Sequence, residues 1–444
     1  MTIRSTLLAL SLVTAGAPAP DSDSGAAASA RAVLAHLDTI FPALDNFYIE
    51  LHRTPELSLH EEATARKLAA VLREEGFEVA TGIGGHGLFG VLRNGAGPTV
   101  MLRTDLDGLP VEEKTGLEYA STVKVKKESG ETVPVMHACG HDVHMTSWIG
   151  AATLLARSRD LWKGTLVMVG QPAEEVGTGA RAMLGEGLFS GERFPKPDFA
   201  FAIHDSADLP AGTVAYSTGY SLASADSIDL VVHGKGGHGA YPHKTVDPIL
   251  LASRIVVSLQ AIVARERNPL DPAVVTVGSF HAGTKHNIVP DSARLQLTVR
   301  AYKKEVRDAT IAAIERIAKG EALAAGAPKE PEISVVESTP STYNDPAVAA
   351  RVAQALSAAL GAERVTTTPP VMGAEDFSEY SIAGVPSASF WVGAVEPGEH
   401  AAALKNGEPL PSLHSPLFAP DRVPTLRTGV SVMTVAALEL LRRP

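Results

Sequence analysis

The stretch Thr99-Val100-Met101-Leu102-Arg103-Thr104-Asp105-Leu106-Asp107 decides the fold, because it joins a short apolar run to two acidic residues. Similar apolar runs lie at residues 165–169, 199–203 and 389–392, and helical patterns such as 144–157 separate some of them. Short strands that are apolar on both faces and are interleaved with helices are typical of a mostly parallel α/β sheet. Ligand sites of such sheets gather at the carboxyl ends of the strands, where these acidic residues stand.

The segment 223–338 has a different pattern and predicts a second domain. Its strand patterns lie at residues 227–232, 273–280, 293–302 and 332–336, and its helical patterns at 247–265 and 305–325. This order, βαββαβ, is that of a small α+β sandwich. We therefore predict an α/β domain formed by residues 31–222 and 339–444, with the α+β domain of residues 223–338 inserted into it.

Composition excludes several classes of protein. The chain has 444 residues with 39 basic and 50 acidic side chains, so nucleic acid is a poor partner. Its one cysteine, Cys139, cannot form an intrachain disulfide. No segment after the N-terminus reaches the length of a membrane span, so a membrane is not an expected partner either.

The N-terminus predicts export. Residues 1–17 have a basic start, a short apolar stretch and a small-residue cleavage site, which together indicate a signal peptide. Residues 18–30 would then be a linker. We expect a periplasmic or secreted protein; a frayed cytosolic N-terminus is the alternative, and N-terminal sequencing of the native protein distinguishes the two.

The chemistry begins at His137-Ala138-Cys139-Gly140-His141-Asp142-Val143-His144. Three histidines, a cysteine and an aspartate in eight residues form a dense set of ligand types for a transition metal. Gly140 permits a sharp turn, so that Cys139 and His141 can face one point. The motif alone is also consistent with a surface histidine cluster at the start of a helix.

The segment Gln171-Pro172-Ala173-Glu174-Glu175 supplies two adjacent carboxylates after the second apolar run. On an extended loop they would point in different directions, so that one binds metal and the other faces the substrate. Metal-assisted hydrolysis needs this division between a ligand and a general base. The alternative for the two glutamates is that they form a solvent-exposed pair with no catalytic role. The alternative for the isolated His204 and His414 is that each has a structural role. Their positions at predicted strand ends and in a loop favour the functional interpretation.

The run of motifs resembles the M20 metallopeptidases, specifically the amidohydrolase branch of N-acyl-amino-acid, hippurate and plant auxin-conjugate hydrolases. The resemblance covers nearly the whole predicted mature chain. Its ordered markers are LHRTPELS (51–58), LRTDLDGLP (102–110), MHACGHD (136–142), QPAEE (171–175), GKGGHGAYPH (234–243), HNIVPD (286–291), MGAEDF (372–377), LHSP (413–416) and PTLRTG (424–429). Such an ordered series is far more specific than any single motif.

The resemblance implies a catalytic domain that binds two divalent metal ions and is interrupted by a lid and dimerisation domain. It implies five metal ligands, Cys139, His141, Glu175, His204 and His414. Glu174 would be the catalytic acid and base, and Asp105 would orient a ligand from behind. The mixed nitrogen, oxygen and sulfur set suits Zn, Mn, Co or Ni, and the sequence does not choose among them.

Three residues of the inserted domain are assigned by the same resemblance. His238, in a Gly-rich loop, would help to hold the oxyanion in an active site, either its own or that of a partner subunit. Asn287 and Arg300 would hold the substrate, with the Arg300 guanidinium paired to a carboxylate. From spacing alone, the loop around His238 is equally consistent with a flexible surface loop.

Two positions depart from the family pattern. Asp205 follows His204 where a valine is usual, and this carboxylate would either tune substrate choice or turn outward. Arg103 stands where peptidase branches carry a metal-binding histidine, so the site would depend on Cys139 and His141 instead.

The sequence therefore predicts a metal-dependent hydrolase that cleaves the amide bond of hippurate-like N-acyl amino acids with a free carboxylate. One alternative is a carboxypeptidase or dipeptidase on the same fold. Another, from a different class, is a non-catalytic periplasmic metal-binding protein. The expected partners are a small N-acyl amino acid or peptide and, as an option, a second copy of the chain in a homodimer.

Overall fold

The computed structural model describes residues 25–127, 129–191 and 194–442. The predicted signal peptide, residues 1–17, and residues 18–24 of the predicted linker lie outside this range. The linker prediction is wrong for residues 25–30, because helix α1 (Gly25–Leu34) already begins at Gly25 and Ala30 is buried. Alanine is the strongest helix former, and this alanine-rich helix packs against the last helix of the chain.

The described residues form helices and strands in alternation. The helices are α1, α2 (Leu37–Arg53), α3 (Glu62–Glu74), α4 (His141–Arg157), α5 (Gly179–Gly185), α6 (Pro248–Ala261), α7 (Lys304–Ala324), α8 (Pro346–Leu360), α9 (Ser378–Ile382), α10 (Pro397–Asn406) and α11 (Arg422–Leu440). The strands are β1 (Glu78–Ile83), β2 (Gly87–Asn94), β3 (Thr99–Asp105), β4 (Lys124–Lys126), β5 (Thr132–Pro134), β6 (Gly164–Gln171), β7 (Phe199–Pro210), β8 (Val214–Tyr216), β9 (Gly219–Leu222), β10 (Ser224–His233), β11 (Gly237–His238), β12 (Ala273–Ala282), β13 (Ile288–Val289), β14 (Ser292–Ala301), β15 (Glu332–Thr339), β16 (Thr342–Asn344), β17 (Val365–Thr367) and β18 (Ser387–Val395).

The large sheet has the strand order β1-β2-β6-β3-β7-β18-β8-β17. Its centre is parallel, since β3 pairs in parallel with β6 and β7, and β7 with β18. Strands β1 and β2 add an antiparallel edge. Helices α2, α4 and α11 form a common core on one face, in which α4 is almost wholly buried. The predicted α/β fold class is confirmed, and the carboxyl ends of β3, β6 and β7 lie at one edge.

The second sheet has the antiparallel order β12-β14-β10-β15. Helices α6 and α7 pack on one face of it, where Leu230, Ile255 and Leu295 are buried. Its main elements follow one another as β10-α6-β12-β14-α7-β15, the predicted βαββαβ order. The alternation along β14 places Arg300 on the face opposite to Leu295, Leu297 and Val299.

Helix α6 continues as a π-helical turn, and the combined helix Pro248–Glu266 is long and apolar enough, by length and composition alone, to cross a membrane. This corrects the expectation that no later segment reaches that length. One side of the helix packs on the second sheet through buried residues such as Leu251 and Leu259. Leu250 and Val257, on the other side, are 61% and 73% exposed, so the apolar composition has only a partial explanation within one chain.

Candidate metal centre

Four elements bring the predicted ligands together at the carboxyl edge of the large sheet. Cys139 precedes helix α4, His141 begins it, Glu175 follows β6, His204 lies on β7, and His414 lies in the loop before α11. Gly140 has φ +72°, which lets the chain reverse between Cys139 and His141 as expected. His414 also has a positive φ, +66°, and a strained backbone at a non-glycine residue is typical of functional sites.

The ligand atoms form two groups that share the Cys139 sulfur. One group is Cys139, His141 and His204, and the other is Cys139, Glu175 and His414; within each group the ligand atoms lie within 4.8 Å of one another. Cys139 Sγ is 3.2 Å from His414 Nε2 and 3.5 Å from His204 Nε2. The structure thus brings all five predicted ligands into two clusters joined at one thiol, either of which could hold a metal ion.

The imidazoles are oriented as metal ligands usually are. His141 Nδ1 is 2.8 Å from the carbonyl oxygen of Asp107, and His204 Nδ1 is 2.8 Å from that of Asp205. When Nδ1 donates its hydrogen to a carbonyl, Nε2 keeps a free lone pair that faces the cluster. Among the described residues, the buried His141 Nε2 and Glu175 Oε1 have no hydrogen-bond partner. Buried polar atoms are rarely left so, and a bound cation would satisfy both.

The two glutamates converge instead of diverging. Glu174 and Glu175 each place a carboxylate oxygen 3.8 Å from His141 Nε2, contrary to the expectation that they point in different directions. The reason is local, because the segment is a turn and not an extended loop. The Gly177 amide donates to the Glu174 carbonyl at 2.7 Å, and Ala173 has φ +54°. Only Glu175 also approaches His414, at 3.6 Å.

The centre concentrates negative charge. Burial, and then the Glu375 and Glu175 carboxylates, raise the pKa of Glu174 well above its usual value. Burial raises the pKa of Glu175 to about 7, and burial together with Glu175 raises the pKa of the Cys139 thiol. A divalent cation would balance this charge and favour the ionised carboxylates and thiolate. The donor set therefore fits a divalent metal ion.

Arg103 lies buried beneath the centre and is not directed at the cluster. Its guanidinium donates to four buried acceptors, Asp105 at 2.8 Å, Gln171 at 3.0 Å, Glu375 at 2.9 Å and Asp376 at 3.1 Å. Asp105 in turn lies 2.8 Å from His144 Nδ1 and 3.8 Å from His141 Nε2. Arg103 therefore supplies a fixed positive charge that ties the ends of β3 and β6 to the loop before α9.

Sequence reasoning missed several residues of this neighbourhood. Asp107 stands behind His141, and its position two residues after Asp105 at the same strand end was the available signal. The resemblance assigns no role to Glu375 of the marker MGAEDF, although the structure places it beside Glu174. His137, grouped with the potential ligands, is buried, and neither of its ring nitrogens has a hydrogen-bond partner in the part of the chain that the structure describes; burial lowers its pKa to about 4.

A cavity of about 750 Å³ opens onto the cluster. Its lining includes Glu174, the candidate ligands Cys139 and His414, and Arg300 from the second sheet. Apolar residues that also line it include Leu222, Val371, Trp391 and Leu413. Asp205 does not line this cavity and is completely buried, so it neither faces the substrate nor turns outward.

His238 and Asn287 lie together, but away from this cavity. Both are exposed, and the short strands β11 and β13 bring them side by side, with the Gly239 amide donating to the Asn287 carbonyl at 2.9 Å. Neither side chain lines the cavity that holds Glu174. Within a single chain, the structure therefore groups Arg300 with the metal cluster and leaves His238 and Asn287 at the surface.

Comparison with known proteins places this geometry in a family. The model of peptidase family M20/M25/M40 matches residues 101–407. The chain belongs to this family. The M20 chain is 39% identical to thermostable carboxypeptidase 2 of Saccharolobus solfataricus over 349 residues, which are 78% of this chain and 84% of that protein. It is 41% identical to the hippurate hydrolase of Campylobacter jejuni over 337 residues, 74% of this chain and 82% of that protein.

A solved structure extends the similarity to the whole fold. A dinuclear metal-binding peptidase of family M20 from Bacillus subtilis matches the M20 chain with a TM-score of 0.73 and 31% identity, over 91% of this chain and 99% of that one. The predicted family is confirmed, and the chain is an enzyme, a metal-dependent amidohydrolase of the M20 type. The alternative of a non-catalytic metal-binding protein is therefore not supported.

Proposed function

We propose that this M20 enzyme holds two divalent metal ions and hydrolyses N-acyl amino acids that carry a free α-carboxylate. Arg300 carries the proposal. The guanidinium is half-buried and lines the same cavity as Glu174, and burial lowers its pKa. Among the described residues no carboxylate pairs with it, and its side chain donates only to Thr298 Oγ1, at 3.2 Å. A partly desolvated, unpaired arginine is a ready site for a substrate carboxylate.

The other residues of the cavity fit the remainder of such a substrate. The scissile amide would lie between Glu174 and the metal cluster, and the acyl group against the apolar residues around Trp391. Bound divalent ions would polarise the amide carbonyl and make a water acidic enough to attack it. The Glu174 carboxylate would take the proton of that water and return it to the leaving amine.

A carboxypeptidase or dipeptidase activity is the second candidate. A C-terminal α-carboxylate would meet Arg300 in the same way, so the clamp alone does not separate a peptide from an N-acyl amino acid. The similarity to a thermostable carboxypeptidase supports this candidate as the similarity to a hippurate hydrolase supports the first. Release assays with N-acetyl, N-benzoyl and dipeptide substrates would rank the two.

We also propose that the enzyme acts as a homodimer formed through the second sheet. Strand β12 is an edge strand of ten residues, and Leu250 and Val257 of the neighbouring helix are largely exposed. An uncovered edge beside apolar side chains is suited to pairing with a second copy. His238 and Asn287, which lie outside their own cavity, would then be free to reach the partner's.

Replacing Arg300 by alanine tests the substrate proposal. Loss of a charge pair of this kind costs about 2 to 5 kcal/mol, so KM for N-acyl amino acids should rise roughly 30-fold or more. The corresponding N-acyl amino-acid amides, which lack the carboxylate, should be poor substrates of both proteins and equally so. Steady-state kinetics on matched acid and amide substrates give the measurement.

Arg294→Ala is the matched control, because Arg294 lies on the same strand but is exposed and pairs with Asp229. Its kinetics should remain those of the wild type. Equal losses on acids and amides in Arg300→Ala, or a wild type that cleaves both equally well, would contradict the carboxylate clamp.

A further inference from the structure

We propose that Asp205 is a positioning residue for the metal ligand His204, and that His144 holds the Asp205 carboxylate in place. Neither Asp205 nor His144 would touch a metal ion. The inference rests on the two-metal centre proposed above and concerns the group formed by Cys139, His141 and His204. It gives a role to the Asp205 carboxylate, which stands where the family pattern has a valine.

The position of the Asp205 side chain carries the first step. The residue is 0% exposed, and its Oδ1 lies 3.3 Å from His204 Nδ1. The same Nδ1 is 2.8 Å from the Asp205 carbonyl oxygen, so one residue presents two oxygens to the back of one ligand. A carboxylate behind a ligating imidazole fixes the ring and makes it a stronger donor. A valine at this position would offer the carbonyl alone.

The same arrangement occurs a second time in this group. His141 Nδ1 is 2.8 Å from the Asp107 carbonyl oxygen and 3.3 Å from Asp107 Oδ1. The two imidazoles of the group are therefore backed by aspartates with the same pair of distances, although one aspartate follows β3 and the other lies on β7. Asp205 does for His204 what Asp107 does for His141.

His144 is engaged on both sides and has no lone pair left for a metal. Its Nδ1 lies 2.8 Å from Asp105 Oδ1. Its Nε2 lies 3.2 Å from Asp205 Oδ1 and 2.9 Å from the Asp205 amide nitrogen, so the ring contacts both the carboxylate and the backbone of Asp205. His144 belongs to two of the groups that could hold a metal by distance, but its hydrogen bonds assign it to the aspartates.

The remaining contacts of Asp205 fix where its carboxylate can lie. A Cβ atom on Gly140 would come within 2.2 Å of Asp205 Oδ2, so the carboxylate packs directly against the turn between Cys139 and His141. Burying this charge without His144 beside it would be costly. His144 and Gly140 together therefore hold Asp205 behind His204.

Asp205→Asn and Asp205→Val test the proposal through metal affinity. Wild-type protein, freed of metal and titrated with Zn²⁺ against a coloured chelator, should bind two ions. In both variants the affinity for one ion should fall by about 10- to 100-fold while the other ion binds as before. Cobalt substitution adds a spectroscopic check, because the visible spectrum of only one Co²⁺ ion should change.

Further variants identify the ion and separate positioning from folding. His414→Ala should weaken the other ion, which Glu175 and His414 hold. His144→Gln should weaken the same ion as Asp205→Asn, because it releases the carboxylate without touching His204. Asp208→Asn, an exposed aspartate three residues further along the same strand, should leave both zinc affinities unchanged.

The outcomes distinguish this inference from the proposed function. Wild type that binds fewer than two ions contradicts the two-metal proposal itself. Wild type that binds two ions, with wild-type affinities in Asp205→Asn and Asp205→Val, overturns only the role of Asp205. Equal weakening of both ions, together with a lowered melting temperature, would show a merely structural role and overturn it as well.

Discussion

At the scale of single residues, neighbours of the same type have different functions because their atoms meet different partners. Glu174 and Glu175 both approach His141, but only Glu175 also reaches His414. Glu174→Gln should therefore retain the metal while kcat falls by about 10²-fold or more, the usual contribution of a positioned acid or base. Metal analysis and steady-state kinetics on the same preparation check this.

Glu175→Gln is the companion variant and should lose metal as well as activity, because it removes a candidate ligand charge. A Glu174→Gln enzyme with full metal content and nearly normal kcat would refute the proton-transfer role.

The same scale shows where prediction from sequence stops. The motif around Cys139 indicated a metal site, but it could not separate its three histidines. Among the described residues, no hydrogen-bond partner meets His141 Nε2 or the His137 ring nitrogens, whereas two aspartates hold His144, and these differences depend on strands far away in the chain. The residue types were predictable, whereas the assignment of each lone pair required the tertiary structure.

At the scale of elements, a buried histidine joins α2 to α4, the helix that begins with the candidate ligand His141. His52, near the end of α2, lies 2.6 Å from an Asp142 oxygen and 3.1 Å from a Glu113 oxygen. Burial by itself would lower the pKa of His52, but these carboxylates raise it from 6.5 to about 9. The folded state therefore prefers the protonated form, which contributes stability below pH 6.5 that is lost as the pH rises through 9.

Thermal unfolding of His52→Gln across this range tests the contribution. The variant should be less stable than the wild type by about 3 kcal/mol below pH 6.5, since each pKa unit corresponds to about 1.4 kcal/mol. This protonation-dependent part of the difference should disappear above pH 9, which leaves only the pH-independent loss of packing and hydrogen bonding. His36→Gln, at an exposed histidine between α1 and α2, is the control and should show no such trend. A difference that does not change with pH would contradict the assigned protonation.

Most helices and strands were predictable from the sequence, because the spacing of apolar residues and the polar residues at strand ends can be read from short segments. Strands β3 and β7 begin at the predicted residues, and α4 begins three residues before the predicted start, but β7 continues to Pro210 and so contains His204 instead of ending before it. Local turns were harder. The turn at Glu174 depends on the positive φ of Ala173, whose amide donates to the buried Glu61 at 2.7 Å, a contact between distant residues that no local pattern indicates.

At the scale of the whole molecule, the exposed side of α6 predicts an interface. Val257→Asp should convert a dimer into a monomer, since burying a valine side chain contributes about 1.5 to 3 kcal/mol and an aspartate there would be desolvated. Light scattering coupled to size-exclusion chromatography measures the mass. Leu323→Asp, at an equally exposed apolar residue on α7, is the matched control and should remain dimeric. A wild type that is already monomeric would contradict the proposed assembly.

The cavity shows what a single-chain view of the molecule can and cannot predict. The resemblance placed Arg300 with the substrate, and the structure brings it into the cavity from the second sheet. It also assigned His238 to an active site, either its own or that of a partner subunit, and Asn287 to the substrate; the structure places both on an exposed pair of short strands. In the proposed homodimer these two residues would reach the partner's cavity, a placement that depends on contacts between two chains and that no local sequence pattern indicates.

The sharing of one thiol by distant segments also has a consequence for biosynthesis. Cys139 and His141 are translated well before His414, which lies 275 positions after Cys139. A nascent chain that has not reached His414 therefore lacks one member of the Cys139, Glu175 and His414 group, so of the two proposed ions it could bind at most the one held by Cys139, His141 and His204. Since similar divalent cations suit these donors, the ion pool of the compartment where folding ends would select the metal, more than the donors themselves.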